Sequence, residues 1–304
     1  MKKVFVLGSI NTDLTVSADR LPMRGESLKG YGFMSNQGGK GANQAVACKK
    51  IGGGNVYLLG AVGNDRFGRE LRASVQGYGV DVGALETVED MHSGVCLAIL
   101  DQSAHDNVLV VDIGANDCVD PAAVRAFLCE NAEKGDIFVS QLEVNREAVR
   151  EGLSAATERG MYRILNPAPA ANIDDIMRYV DLIVLNETEA ELICKVSVTD
   201  EESMNRVYAF FAAAGIGEVI VTLGAKGSYY SDGTSVFCPA RKVKAKDSTC
   251  AGDTFIGALA ARRANGFNIT DSLDYASACS AITVSRAGAS VSIPTAEEVA
   301  AYLR

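Results

Sequence analysis

The sequence predicts an α/β fold of three layers: one mostly parallel sheet with flanking helices, plus a small antiparallel β lid. Two observations lead there. Short apolar runs rich in β-branched residues alternate with segments of helical periodicity, the pattern of a parallel sheet joined by crossover helices. Two other pairs of extended segments have no helix between them and must pack outside the parallel core. A chain of 304 residues can bury roughly three quarters of its unfolded surface. No low-complexity linker or internal repeat divides it, so one domain over 1–304 is expected, with the lid formed from about 13–36 and 93–113.

The elements follow in order. Val4–Leu7 reads as a strand, Asp13–Ser17 with Leu28–Ser35 as the first extended pair, and Ala42–Lys50 as a helix. Strand Val56–Leu59 and helix Phe67–Gln76 come next, then Gly94–Leu100 with Asn107–Asp112, joined by a hairpin-type loop over Asp101–Asp106. Helix Ala122–Glu133 leads to strand Ile137–Ser140, and helix Arg146–Arg159 to strands Arg163–Leu165 and Leu182–Leu185. Helix Ser203–Ala214 precedes strand Val219–Thr222; after a β-rich stretch through Cys238 the chain turns helical over Phe255–Ala264, Ser272–Arg286 and Ala296–Leu303. In open parallel sheets, ligands lie beyond the carboxyl ends of the strands. Asn11, Asp13, Glu143, Asn166 and Asn186 each come just after a predicted strand, which places them on that rim.

The net charge of −9 argues against a general nucleic-acid binder, whose footprint is a basic patch. No run of 18 apolar residues exists, so no membrane span is expected. Met1-Lys2-Lys3 with Val4–Leu7 is too short and too soon followed by Asn11 and Asp13 to be a signal peptide. The eight cysteines form no C-x-x-C pair, and with two histidines in the chain a structural zinc site is not expected. Dispersed cysteines among apolar neighbours suit a reducing cytoplasm. His92 and His105, in the expected lid, receive no chemical role.

The most informative stretch runs from Asp247 to Gly257. A polar, extended approach meets an apolar helix at Cys250, Ala251 and Gly252, small residues that let backbone N–H groups crowd toward one point. Free amides and the positive end of the helix dipole make an anion site. Asp253 inside such a cradle suits a base that takes a proton from a group attacking the anion; otherwise it is an early-helix acid stabilised by the dipole. Asn11 and Asp13 offer acceptors for a vicinal diol, or an Asx-turn. Gly39 permits close backbone approach, while Lys40 and Asn43 supply donors. Asn186 and Glu189 have the spacing of a capping box. Neither a phosphate-binding G-x-x-x-x-G-K-[ST] loop nor a G-x-G-x-x-G fingerprint occurs.

The 247–257 stretch resembles the C-terminal motif of the ribokinase-like (PfkB) sugar kinases, Asp-Thr-x-Gly/Ala-Ala-Gly-Asp-x-Phe. Gly38-Gly39-Lys40-Gly41-Ala42-Asn43-Gln44-Ala45-Val46-Ala47 resembles the ribokinase branch. Gly8–Asp13, Leu165–Ala170 and Asn186–Glu191 match further family motifs in order, so the resemblance spans about the whole chain. Cys250 departs from it, standing where the family has Gly or Ala; a thiol at a helix start tends to a lowered pKa and higher reactivity, unless it packs as an inert small hydrophobe.

The resemblance implies an ATP-dependent kinase that phosphorylates D-ribose at O5, with Asp253 as general base and the amides around Cys250, Ala251 and Gly252 holding the γ-phosphate. A kinase for another small sugar or a nucleoside, and a non-catalytic sugar-binding protein, are the alternatives. Asn11, Asp13, Gly39, Lys40, Asn43 and Glu143 would bind sugar. Asn186, Thr222, Gly224, Gly227, Gly252 and Ser277 would bind ATP; for Thr222–Gly227 a plain hairpin turn is the other reading. Asn186 and Glu189 would organise Mg²⁺ through water. K⁺ would activate from a site made by Asp247, the carbonyls of Thr249, Thr283, Arg286 and Gly288, and the Ser292 hydroxyl. The resemblance further implies a homodimer through the lid, which would cover exposed strand edges.

Overall fold

The computed structural model of the protein describes residues 1–104 and 106–304; His105 lies outside the described residues. The strands are β1 (Val4–Leu7), β2 (Asn11–Ala18), β3 (Tyr31–Gly38), β4 (Val56–Gly63), β5 (Leu85–Val88), β6 (Gly94–Asp101) and β7 (Asp106–Asp112). They continue with β8 (Ile137–Ser140), β9 (Tyr162–Leu165), β10 (Leu182–Asn186), β11 (Glu218–Thr222), β12 (Gly227–Ser231) and β13 (Ser235–Pro239). The helices are α1 (Lys40–Gly52), α2 (Arg66–Gly77), α3 (Pro121–Asn131), α4 (Arg146–Glu158), α5 (Glu187–Cys194), α6 (Glu201–Ala212), α7 (Ala251–Ala264), α8 (Ile269–Val284) and α9 (Ala296–Tyr302).

β1 shows how the layers arise. All four of its residues are buried; Val4 and Val6 join one apolar cluster, Phe5 and Leu7 the other. A strand turns successive side chains to opposite faces, so a run without a polar member must be covered on both. Residues of α1, α2, α7, α8 and α9 build the first cluster, and those of α3, α4, α5 and α6 the second. Between them lies a nine-stranded sheet in the order β13-β12-β11-β10-β9-β8-β1-β4-β5. Its pairings are parallel from β11 to β5; β12 and β13 add an antiparallel hairpin.

A second, separate sheet has the order β3-β2-β6-β7. β2–β3 and β6–β7 are the two expected antiparallel pairs, joined to each other by a parallel β2–β6 contact. The first hairpin differs from the sequence reading in its bounds. Its return strand starts at Tyr31, not Leu28, and continues to Gly38, which pairs with Asn11. Gly38 makes this possible: a Cβ there would stand 2.1 Å from an Asp13 carboxylate oxygen. β5 is an addition to the sequence reading, since its four residues alternate only weakly with polar ones. Among the described residues no helix is long and apolar enough to cross a membrane.

Candidate active site

Helix α7 begins without a cap. Cys250 precedes it in the left-handed conformation (φ 64°), and no side chain accepts from its first amides. The N–H of Ala251 donates to Ser248 O at 3.2 Å, whereas those of Cys250, Gly252 and Asp253 meet no acceptor among the described residues. Of the expected cradle, then, the Ala251 amide is engaged and the Asp253 amide takes its place. Ser280 of α8 steadies the turn by donating to the Ala251 carbonyl at 2.9 Å. The Cys250 thiol is buried in the first apolar cluster. Burial pushes its pKa well above the usual thiol range, with the Asp253 charge adding to the shift. This corrects the expectation of a lowered pKa: desolvation outweighs the helix dipole, and the side chain behaves as a small hydrophobe.

Asp253, in the first turn of α7, is held from α1. Asn43 Nδ2 donates to its Oδ2 at 3.1 Å and Gln44 Nε2 to its Oδ1 at 3.0 Å. α1 comes this close because Gly257 of α7 faces Ala47 and the Gln44 carbonyl where a Cβ would clash. Burial raises the Asp253 pKa and Glu143 adds to it, against the Lys40 charge and the two amides. A raised pKa makes a carboxylate a stronger base.

Asp13 lies within β2, which removes the Asx-turn reading. Its carboxylate has no hydrogen-bond partner among the described residues, and burial, then the charges of Glu143 and Asp253, push its pKa up to about 7, against Lys40. Glu143 accepts from Ser9 Oγ at 2.5 Å and from the Lys40 N–H at 3.2 Å, and its Oε1 is 3.7 Å from Lys40 Nζ. Burial alone would lower the Lys40 pKa, but Asp253, Glu143 and Glu189 raise it. Gly39 supports the turn into α1 with φ 87°, where a Cβ would strike the backbone of Ser9 and Ile10. Asn11 is buried, and its Oδ1 accepts from Asn116 Nδ2 at 2.8 Å.

Beside this cluster opens a cavity of 240 Å³ whose walls include Lys40, Asn186, Glu189, Thr222, Cys250, Gly252 and Asp253. Asn186 caps α5: its Oδ1 accepts from the Glu189 N–H at 2.8 Å, and Glu189 Oε2 accepts from the Asn186 N–H at 2.9 Å. The Glu189 pKa is raised by burial, against those hydrogen bonds and Lys40. Thr222 to Gly227 forms the turn of the β11–β12 hairpin, with Gly224 at φ 53° and open space where its Cβ would stand. Ser277 of α8 is half-buried and does not line the cavity. Among the described residues no three His, Cys, Asp or Glu side chains group into a metal cage. Asn186 and Glu189 offer oxygens that could reach a hydrated Mg²⁺ through its water, although each is also engaged in the capping box.

Asp247 ties two segments together. Its Oδ1 accepts from the Thr249 N–H at 2.9 Å and its Oδ2 from the Gly288 N–H at 3.0 Å. Burial works to raise its pKa, but these bonds outweigh it and the net shift is downward. The Arg286 N–H donates to Thr283 O at 3.0 Å, the Arg286 guanidinium pairs with Glu298 at 2.7 Å, and Ser292 Oγ donates to Ala289 O at 2.7 Å. The Asp247 carboxylate thus meets Thr249 and Gly288, while Thr283, Arg286 and Ser292 bond within their own turns.

Sequence reasoning missed Gln44, Gln141 and Asn116, and gave Asn166 no role. Gln44 lay inside the Gly38–Ala47 motif, directly after Asn43, which was the available signal. A larger cleft of 630 Å³ at the opposite end of the sheet touches none of the predicted site residues, and its Lys49 and Arg72 donate to the carbonyls of Gly54, Val82 and Leu85.

The pfkB family carbohydrate kinase model matches residues 1–296. A ribokinase of Schizosaccharomyces pombe is 38% identical over 98% of this chain and 97% of its own length. Among solved structures, a ribokinase from Thermotoga maritima superposes with a TM-score of 0.90 at 31% identity, covering 100% of this chain and 99% of its own. A ribokinase from Arabidopsis thaliana, complexed with ribose and ATP, gives 0.89 at 26% identity, covering 100% and 99%. The chain belongs to the pfkB family of carbohydrate kinases.

Proposed function

We propose that this protein is an ATP-dependent ribokinase that transfers the γ-phosphoryl group of ATP to O5 of D-ribose. One observation carries the reading: Asp253 stands in the first turn of an uncapped helix, between free amides on one side and the Asp13–Lys40–Asn43–Glu143 cluster on the other. Phosphoryl transfer needs little covalent chemistry from a protein; it needs alignment and charge stabilisation. Asp253 takes the proton from the sugar hydroxyl. The N–H groups of Gly252, Cys250 and Asp253 receive the phosphoryl oxygens as charge redistributes. Asp13 and Glu143 accept from sugar hydroxyls, and Lys40 and Asn43 donate to them. Thr222, Gly224 and Gly227 leave room for the nucleotide. Mg²⁺, when bound with ATP through Asn186 and Glu189, supplies charge neutralisation on the phosphate oxygens.

The test is coupled ADP release across pentoses, hexoses and nucleosides. Ribose should give the highest kcat/KM. A higher value for deoxyribose or a nucleoside would assign a sibling activity, and no turnover with any acceptor would favour a sugar-binding protein. K⁺, held by Asp247 and its neighbours, stiffens the phosphate loop, so turnover should be higher in K⁺ than in Na⁺; equal rates in both would remove the cation site. The lid exposes apolar side chains on both of its faces, Phe33 and Leu97 on one and Met34, Leu109 and Val111 on the other, and a second copy of this chain would cover one of them. Light scattering should report a dimer. Eight free cysteines suit a cytoplasmic setting.

A further inference from the structure

Behind Asp253 meet three amide side chains that the chemistry above does not use. Gln44 on α1 is 1% exposed, Gln141 after β8 is 0%, and Asn166 after β9 is 8%. Gln44 Nε2 donates to Asp253 Oδ1 at 3.0 Å and stands 3.5 Å from Asn166 Oδ1. Its Oε1 accepts from Gln141 Nε2 at 2.7 Å. Asn166 is fixed in turn, because its Nδ2 donates to the Val184 carbonyl at 3.0 Å. An amide has one accepting and one donating end. Turning Gln44 over would set its oxygen against the Asp253 carboxylate and its NH₂ against that of Gln141, so the neighbours permit one orientation.

We propose that Gln44, locked by Gln141 and Asn166, is the positioning residue of the base: it fixes Asp253 Oδ1 against the sheet and leaves Oδ2, shared with Asn43, to meet the sugar hydroxyl. This rests on Asp253 being the base. The rim of the parallel sheet thereby aims a side chain that sits on a helix. Neutral amides cannot take the proton from the carboxylate, and donation from Gln44 favours its ionised form. The charged and titratable groups around Asp253 are Lys40 from α1, Glu143 after β8, Asp13 from β2, Glu189 from α5 and Cys250 before α7. None of them contacts Gln44 through a hydrogen bond among the described residues, so a change at Gln44 acts on Asp253 directly.

The test is the pH dependence of kcat at saturating ribose and ATP, where bound sugar holds Asp13 ionised. Gln44→Met should lower turnover about 10- to 100-fold, the scale of a misplaced reacting group, and move the acidic limb to higher pH. Gln141→Met does not touch Asp253 and should move the limb the same way by less, which keeps the test open should Gln44→Met fail to fold. A lowered turnover with the limb unmoved in both would leave these amides as mere core filling and overturn the proposal. Asp253→Asn separates the two ideas: a variant that still turns over removes the base, whereas an inactive one beside unmoved limbs removes only the relay.

Discussion

Helices α5 and α7 both begin at the 240 Å³ cavity, and they begin differently. α5 is closed by its own sequence, with Asn186 and Glu189 satisfying each other's backbone N–H. α7 starts at Cys250, which offers no cap, and the N–H groups of Cys250, Gly252 and Asp253 meet no acceptor among the described residues. Replacing a good N-cap costs about 1 kcal/mol, so α7 gives up stability that α5 keeps. On the proposed reading, the difference marks where the phosphate would sit. A capped terminus has its donors occupied, while an open one is completed by the ligand, and binding then adds stability.

The largest effect should come from the open terminus. Asp253→Asn is expected to keep the fold and nucleotide binding and to lose about 10²–10⁴-fold in kcat, the range for removing a general base. Turnover within a few-fold of the parent would return Asp253 to the status of an early-helix acid. Asp13 sharpens the picture from the sugar side. Asp13→Ala should raise the ribose KM about 10- to 100-fold, as expected for a lost hydrogen bond to a charged group, with little change in kcat. The parent enzyme should show a milder version by pH alone. With a pKa of about 7, Asp13 is protonated as pH falls through that value and loses acceptor capacity, so the ribose KM should rise below it. A flat KM between pH 8 and 6 would contradict this.

The smallest effect belongs to the closed terminus. Asn186→Ala should cost about 1 kcal/mol in urea unfolding and less than tenfold in turnover. A loss of a hundredfold would break the contrast, because Asn186 would then act on the metal and phosphates more than on its helix.

The buried parallel strands were legible because their apolar runs are uninterrupted. Val4–Leu7 and Ile137–Ser140 agree with the sequence reading at both ends. Leu85–Val88 was not, since an edge strand half in water has little pattern to show. In the site, the Asn186–Glu189 box could be read from spacing, because a cap is a local interaction. The Gln141–Gln44–Asp253 chain could not: its members stand far apart in sequence and meet only once α1, α7 and the end of β8 are assembled. For Cys250 the sequence left a reactive and an inert thiol both open, and burial decides for the inert one. Its place at a helix start is local information, but its burial depends on what the rest of the chain packs over it.

The position of β1 has a consequence for how the protein is made. It precedes both of its neighbours in the chain, yet it lies between β4 and β8, and the second of them, Ile137–Ser140, comes much later. Until then a strand apolar on both faces has an unpaired edge, the condition that invites misassembly in larger chains. Nascent chains halted before Ile137 should leave the amides of Val4–Leu7 open to hydrogen exchange, and chains released at full length should protect them. β1 is thus completed only after the intervening residues up to Ser140 have been synthesised, and anything that slows elongation over that interval lengthens its exposure.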